Sequence, residues 1–135
     1  MASRPETLAF DASLNAFTKT FTVPSNERWD ITHIYCNYIT TGSAPVRNHQ
    51  IRITDPSGNT LRHGVPFNHG ASTSTFFLIA PGQVLTSGGS NFQAGCALPR
   101  LVLEPGWTIT WRDANSVDAA DDFTIAIIGV RERLA

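Results

Sequence analysis

The stretch LEPGWTITWRD at residues 103–113, followed after a short connection by FTIAIIGV at residues 123–130, decides how this chain folds. In both segments apolar residues alternate with polar or small ones, and a period of two is typical of strands with one buried face. The alternating apolar residues are Trp107, Ile109 and Trp111, then Phe123, Ile125 and Ile127. We therefore expect two long strands here, against which the upstream chain packs.

The upstream sequence repeats this pattern between turn-forming residues. Strands are predicted at residues 16–23, 28–41, 46–54, 60–65, 74–80 and 98–103, with a loop at residues 67–73. Turn signals recur about every 8–12 residues, and no stretch of ten or more residues has a helical period, which is typical of β-sandwiches and barrels. The predicted fold class is all-β: a jelly-roll-like β-sandwich of about eight antiparallel strands. An immunoglobulin-like sandwich is the main alternative.

The segment at residues 28–41 has apolar residues in both phases of the alternation. Strict alternation places Trp29, Ile31, Tyr35 and Ile39 on one face and Ile34, Cys36 and Tyr38 on the other. Two apolar faces indicate a central strand that is covered on both sides. One cover is the core, and the other is expected to be an N-terminal arm or a partner subunit.

Length and composition limit the domain organisation and the function classes. A chain of 135 residues predicts one domain, with residues 1–15 as an arm and residues 16–135 as a single β-sandwich. The net charge of −1 argues against a nucleic-acid partner. No apolar run approaches the length of a membrane span, and no secretory signal is recognisable, so we expect synthesis in a cytosol and no membrane partner. Two cysteines are too few for a disulfide scaffold and are expected to be free thiols.

The connection at residues 113–122 contains several oxygen-bearing side chains. Asp113, Asn115 and Asp118 begin like a calcium-binding loop, because calcium is bound by closely spaced oxygen ligands. The central glycine and the final glutamate of such a loop are missing. Asp and Asn side chains that cap loop amides are the competing explanation.

No catalytic motif is recognisable. The histidines His33, His49, His63 and His69 lack the close spacing of metal ligands. There is no nucleophile elbow, no phosphate-binding glycine loop and no placed carboxylate pair. We therefore expect no enzyme activity, no cofactor and no small-molecule substrate. The aromatic residues Trp29, Trp107, Trp111, Tyr35 and Tyr38 could stack on sugar rings if they were exposed, and core packing is the competing explanation.

The segment EPGWTITWRD at residues 104–113, with VDAADDFTI at residues 117–125, resembles the C-terminal part of small β-rich virion proteins of tailed bacteriophages. The segment WDITHIY at residues 29–35 resembles their early long strand. The resemblance covers about 35 residues at the end of the chain and a dozen near Trp29, and it carries over no catalytic residue.

This resemblance implies a capsid decoration (cement) protein or a tail accessory protein. The expected function is to bind the major capsid protein on the capsid surface as a homo-oligomer, with a trimer favoured, after synthesis in the host bacterial cytoplasm. The alternative is a carbohydrate-binding module of a phage tail or fibre. Apolar residues of the arm and arginines of the predicted strands are the interface candidates: Leu8, Phe10, Leu14, Arg47, Arg52 and Arg62.

Overall fold

The computed structural model describes residues 4–13, 18–42, 47–83, 92–113 and 120–134. These residues form ten strands and no helix. The strands are β1 Glu6–Asp11, β2 Thr18–Thr22, β3 Glu27–Ile39, β4 Arg47–Thr54, β5 Thr60–His69, β6 Ser74–Ala80, β7 Phe92–Ala97, β8 Leu101–Leu103, β9 Thr108–Asp113 and β10 Asp122–Arg133.

The strands form two sheets that face each other across one core. The first sheet has the order β1-β10-β3-β6-β7, with β8 also paired to β3, and the second has the order β2-β9-β4-β5. The antiparallel pairs β4–β5, β3–β6, β2–β9 and β1–β10 are nested inside one another along the chain. A long hairpin rolled up in this way is a jelly roll. The predicted fold class is therefore confirmed.

Three details of the strand assignment differ from the sequence-based expectation. The predicted strand at residues 98–103 is reduced to β8, while β7, which was not predicted, runs parallel to β6. The small residues in β7 give no alternation, so only its pairing with β6 makes it a strand. The loop predicted at residues 67–73 is wrong in its first part, because β5 continues to His69 alongside β4.

The face assignment within β3 is also corrected. Ile31 pairs with Gly129 and His33 with Ile128, which leaves Thr32 without a register partner. Such a β-bulge shifts the side-chain alternation by one residue. Trp29 and Ile31 therefore point into the core together with Ile34, Cys36 and Tyr38, and only the residues from His33 onward in the other phase form a second apolar face.

Gly129 lies opposite this bulge and allows the two strands to approach closely. A Cβ atom at residue 129 would lie 2.2 Å from the backbone oxygen of Asp30 and 2.9 Å from Cδ1 of Leu8. Any larger residue would push β10 away from β3. The glycine in the final strand is therefore required by packing, although its φ angle is ordinary.

The core consists of the inward residues of both sheets. The fully buried apolar side chains include Ile31, Ile34, Tyr38, Phe77, Leu103, Phe123, Ile125 and Ile127 from the first sheet and Ile51 and Trp111 from the second. The alternation that predicted the last two strands is confirmed by the burial of Ile109, Trp111, Phe123 and Ile125.

The segment predicted as an N-terminal arm contributes β1, which pairs with β10 of the same chain. Leu8 is buried in the common core. The buried ammonium of Lys19 on β2 donates to Asp11 Oδ1 at 3.0 Å and to the backbone oxygen of Ser13 at 2.8 Å. Residues 6–11 of the predicted arm therefore form the edge strand of the first sheet, and the hydrogen bonds from Lys19 connect this strand to the second sheet.

Candidate interaction surfaces

Arg47 and Asp121 form a fully buried ion pair that joins the two sheets. Arg47 Nε lies 2.8 Å from Asp121 Oδ2, and neither side chain is exposed. The same carboxylate accepts hydrogen bonds from the Tyr38 hydroxyl at 2.9 Å and from the backbone N–H of Thr41 at 2.8 Å. Arg47 comes from β4, whereas Tyr38 comes from β3, so these contacts link both sheets.

Burial and hydrogen bonds shift the pKa values of the groups around this ion pair. Burial acts to raise the pKa of Asp121, but the hydrogen bonds from Arg47, Thr41 and Tyr38 outweigh it and hold the pKa below its ordinary value. The hydrogen bond with Asp121 raises the pKa of Arg47, while burial raises that of Tyr38. These shifts favour the ionised form of Asp121 and Arg47 and the neutral form of Tyr38, so all three keep one protonation state near neutral pH.

The interface candidates divide into buried and accessible residues. Arg47 and Leu8, which were expected at an interface with a partner, are instead buried within this chain. Phe10 and Arg62 are exposed, and Arg52 is half-buried. Leu14 lies outside the described residues.

The calcium candidates do not form a site that can be described. The side chain of Asp113, the last residue of β9, is buried, and its Oδ1 accepts a hydrogen bond from the backbone N–H of Asn48 on the neighbouring strand β4 at 3.3 Å. Asn115 and Asp118 lie outside the described residues. Among the residues that are described, no three metal-binding side chains come together.

The described histidines point to separate places. Buried His49 accepts a hydrogen bond at Nδ1 from the indole N–H of Trp111 at 3.0 Å. His63 Nε2 lies 3.0 Å from the backbone oxygen of Ala97, and half-buried His33 stacks edge-on against Tyr35. Burial lowers the pKa of His33. The side chain of His69 lies outside the description.

Cys36 is a buried free thiol, as predicted. Burial raises its pKa, so the reactive thiolate is strongly disfavoured. The side chain of Cys96 is not among those described.

The tryptophans do not form a sugar-binding platform. Trp29 and Trp111 are buried, and so is Tyr38. Trp107 is half-buried beside a depression of about 240 Å³ lined by Asp55, Asn59 and Leu61. Both carboxylate oxygens of Asp55 are engaged in its own turn, with Ser57 and Asn59. Among the five predicted aromatic candidates, Tyr35 is the exposed one.

The outer face of the first sheet carries large exposed apolar side chains, which we call the aromatic patch: Phe10 62% exposed, Tyr35 49%, Ile39 46% and Phe76 55%. The strand register places them side by side. Ala126 lies opposite both Phe10 and Tyr35, and Phe76 lies opposite Asn37, which separates Tyr35 from Ile39 along β3. The patch therefore extends over β1, β10, β3 and β6.

A depression of about 210 Å³ lies within the aromatic patch. Its lining includes Phe10, Tyr35, Phe76 and Asn37. The Oδ1 atom of Asn37 is buried and has no hydrogen-bond partner among the described residues. A buried acceptor without a donor is costly. The depression thus combines apolar walls with one buried amide oxygen that has no hydrogen-bond partner among the described residues.

The outer face of the second sheet is different in kind. Its outward residues form rows of threonines and a group of three arginines, which we call the arginine face: Arg52, Arg62 and Arg112. Arg52 lies directly opposite Arg62 on β5, and Arg112 lies opposite Gln50, two residues before Arg52 on β4. The threonines are Thr18, Thr20, Thr22, Thr54, Thr60, Thr108 and Thr110.

Sequence reasoning did not single out Phe76, Ile39 or Arg112 as interface candidates. The signal was present for the first two, because β6 and the second half of β3 are apolar in both phases, which one core alone does not require. Arg112 follows the alternation of β9, which puts it on the face opposite to that of Trp111, as the sequence pattern indicated. Its proximity to Arg52 and Arg62 depends on register between distant strands.

No protein-family model matches this chain, and no curated protein sequence matches it. Among solved structures, an exo-β-1,3-galactanase from Phanerochaete chrysosporium in complex with galactose is 18% identical, with a TM-score of 0.36, over 93% of this chain and 26% of that one. The structure of infectious bursal disease virus, Gx strain, is 11% identical, with a TM-score of 0.32, over 97% of this chain and 41% of that one. The chain thus spans about a quarter and about two fifths of these proteins. No helix within the described parts of the chain is long and apolar enough to cross a membrane.

Proposed function

We propose that this protein is a structural virion protein of a tailed bacteriophage, a capsid decoration (cement) protein that binds coat subunits and stabilises the head. In this proposal it is made in the host bacterial cytoplasm and lies on the capsid surface as a homo-oligomer, with a trimer favoured. Its action is binding alone. The bacteriophage assignment rests on the sequence resemblance at residues 104–125 and 29–35.

The observation that carries the binding function is the aromatic patch. Interface cores are enriched in aromatic residues, and burying a large apolar side chain contributes about 1.5–3 kcal/mol. Phe10, Tyr35 and Phe76 offer several such contributions on one flat face. Asn37 lies in the wall of the depression, and its buried Oδ1 has no hydrogen-bond partner among the described residues. The major capsid protein is the partner that we propose for this face.

The test uses shells assembled from the major capsid protein encoded in the same genome. We expect the purified protein to sediment with these shells and to raise the temperature at which they open. Replacing Tyr35 and Phe76 together by Ser should weaken binding at least about tenfold, since a few central aromatic residues dominate most interfaces.

Leu61→Ser is the matched control, because Leu61 is an exposed apolar residue on β5 of the other sheet. It should leave shell binding unchanged. Gel filtration with light scattering tests the oligomeric state separately. A monomer that never sediments with shells would contradict the proposal.

A carbohydrate-binding module is the second candidate, and it uses the same patch. Tyr35 is exposed, and Asn37 lies between it and Phe76 in the wall of the depression. An aromatic ring beside a polar amide can stack on a sugar and hydrogen-bond its hydroxyls. A glycan array decides this alternative. Binding that is lost in Tyr35→Ala supports it, and an array without any binding removes it.

A further inference from the structure

We propose that the arginine face binds an extended acidic polypeptide segment with carboxylates at alternating positions. This inference concerns the face opposite the aromatic patch and does not depend on the proposed function.

The arginine face carries three positive charges, and no carboxylate in the described part of the chain pairs with them. Five other basic residues have carboxylate partners within the chain: Lys19 with Asp11, Arg28 with Glu104 and Glu132, Arg47 with Asp121, Arg100 with Asp30, and Arg131 with Glu6 and Glu27. Arg4 and Arg133, which form no ion pair among the described residues, lie exposed at the two ends of the described chain and belong to no such group. Among the described residues no ion pair is formed by Arg52, Arg62 or Arg112. The strand segments of the second sheet contain one acidic residue, Asp113, and it points inward.

The fold bears a cost for keeping these three charges together. Like charges directly opposite one another on neighbouring strands are destabilising, and Arg52 and Arg62 are such a pair. The pKa of Arg52 is lowered mainly by desolvation and, to a smaller extent, by repulsion from Arg112 and Arg62. The Nε atom of Arg112 is buried without a hydrogen-bond partner in the described residues. Threonine or glutamine at these positions would keep the face polar without that cost.

The geometry of the face fits carboxylates. The side chain of Gln50 accepts from Arg52 Nε at 2.8 Å and so orients its guanidinium. Guanidinium groups bind carboxylates with two parallel hydrogen bonds. Arg52 and Arg112 are diagonal neighbours, which places their Cα atoms roughly 7–8 Å apart. Alternate residues of an extended chain are separated by about 7 Å. Two carboxylates at alternating positions therefore match two arginines, and the threonine hydroxyls can bond the peptide between them.

An acidic polypeptide fits better than nucleic acid. Nucleic-acid binding depends on many phosphate contacts and on a basic surface, and this chain has a net charge of −1. Single-stranded nucleic acids also require aromatic side chains for stacking. The outward positions of β2, β9 and β4 that the structure describes carry none.

The experiment measures fluorescence anisotropy of a labelled ten-residue peptide of alternating Glu and Ser, titrated with the full chain at roughly 20 mM salt, where surface charges are weakly screened. We expect saturable binding that weakens with added salt. The triple variant Arg52→Gln, Arg62→Gln and Arg112→Gln should bind at least about tenfold more weakly. Arg133→Gln removes one charge from the exposed end of β10 in the other sheet and should leave binding unchanged.

Three results would overturn the inference. They are no peptide binding by the unmodified chain, an equal loss in Arg133→Gln, or tighter binding of a labelled ten-residue oligothymidine than of the peptide. If the triple variant fails to fold, the single variant Arg62→Gln on the edge strand β5 replaces it, with an expected weakening of about threefold. The two proposals are tested separately. Shell binding that depends on the aromatic patch but not on these arginines would support the proposed function, whatever the peptide shows. The peptide titration alone decides whether the arginine face binds acidic segments.

Discussion

The two outer faces of the sandwich are built on the same core but have opposite chemistry. Inward, both sheets present aliphatic and aromatic residues such as Ile34, Phe77, Ile51 and Trp111. Outward, the first sheet presents the aromatic patch and the second presents the arginine face. Folding dictates the inward composition, because both sheets must fill one core. It dictates no such difference outside, so the contrast between the two outer faces is not explained by the core.

The largest expected effect is a difference in stability between substitutions on the inner and outer sides of β6. Phe77→Ala should lower the free energy of unfolding by about 3–5 kcal/mol, because it leaves a cavity between the sheets. Phe76→Ala, one residue earlier and facing outward, should change it by less than about 0.5 kcal/mol. Urea unfolding of both variants measures the difference. Similar losses in the two variants would mean that Phe76 serves the fold and that the aromatic patch is no free surface.

The next effect concerns the ion pair that couples the two sheets. Asp121→Asn should destabilise the protein by about 3 kcal/mol at neutral pH, since it leaves the buried Arg47 without its charged partner. Adding Arg47→Met removes that unpaired charge and should recover part of the loss. Denaturant unfolding of the single and double variants measures both values, and a double variant less stable than the single one would contradict this explanation.

The pH dependence of the unmodified protein follows from the same carboxylate. The pKa of Asp121 is lower in the folded protein than its ordinary 3.8, so its stabilising contribution is present above that value and is lost as pH falls below it. Asp11, whose pKa is lowered to about 2 chiefly by hydrogen bonds with Ser13 and then Lys19, loses its contribution over the same range. Stability should decline between about pH 4 and pH 2, and less steeply in Asp121→Asn.

The smallest effect tests the arginine face itself. Arg62→Gln should slightly raise the urea midpoint at low salt, because it removes a like charge opposite Arg52. The gain should disappear near 0.5 M salt, at roughly which concentration surface charges are screened. Arg133→Gln is the charge-matched control and should give no gain. A midpoint that falls in Arg62→Gln would show that the arginines are compensated within the chain and would remove the contrast between the two faces.

Much of the fold was predictable, because the alternation of apolar and polar residues along the chain marks the strands and their buried sides. The period of two at residues 107–113 and 123–130 correctly gave β9 and β10 and their buried residues. The two apolar phases of residues 28–41 also predicted a second apolar face, and Tyr35 and Ile39 lie on such a face, which is exposed. The residue pairing could not be predicted in the same way. The bulge at Thr32 lies beside the close approach that Gly129 on β10 allows, and nothing local to residues 29–35 shows that shift.

The candidate surfaces were predictable only in part. Of the interface candidates, Phe10 and Arg62 are exposed and Arg52 is half-buried, whereas Arg47 is fully buried. A charged residue is buried when a partner compensates its desolvation. For Arg47 that partner is Asp121, which lies 74 residues away in the chain.

By itself, the sequence determined the all-β class and, in the last two strands, the alternation and the buried residues, since these depend on side-chain period within a few residues. Only the tertiary structure decided that residues 6–11 complete the first sheet, that Lys19 and Arg47 are buried, and that three arginines from β4, β5 and β9 share one face. These features depend on register between strands far apart in the chain. The stretch at residues 103–130 accordingly provides scaffold for both sheets, and the two opposing outer faces are the candidate sites of binding.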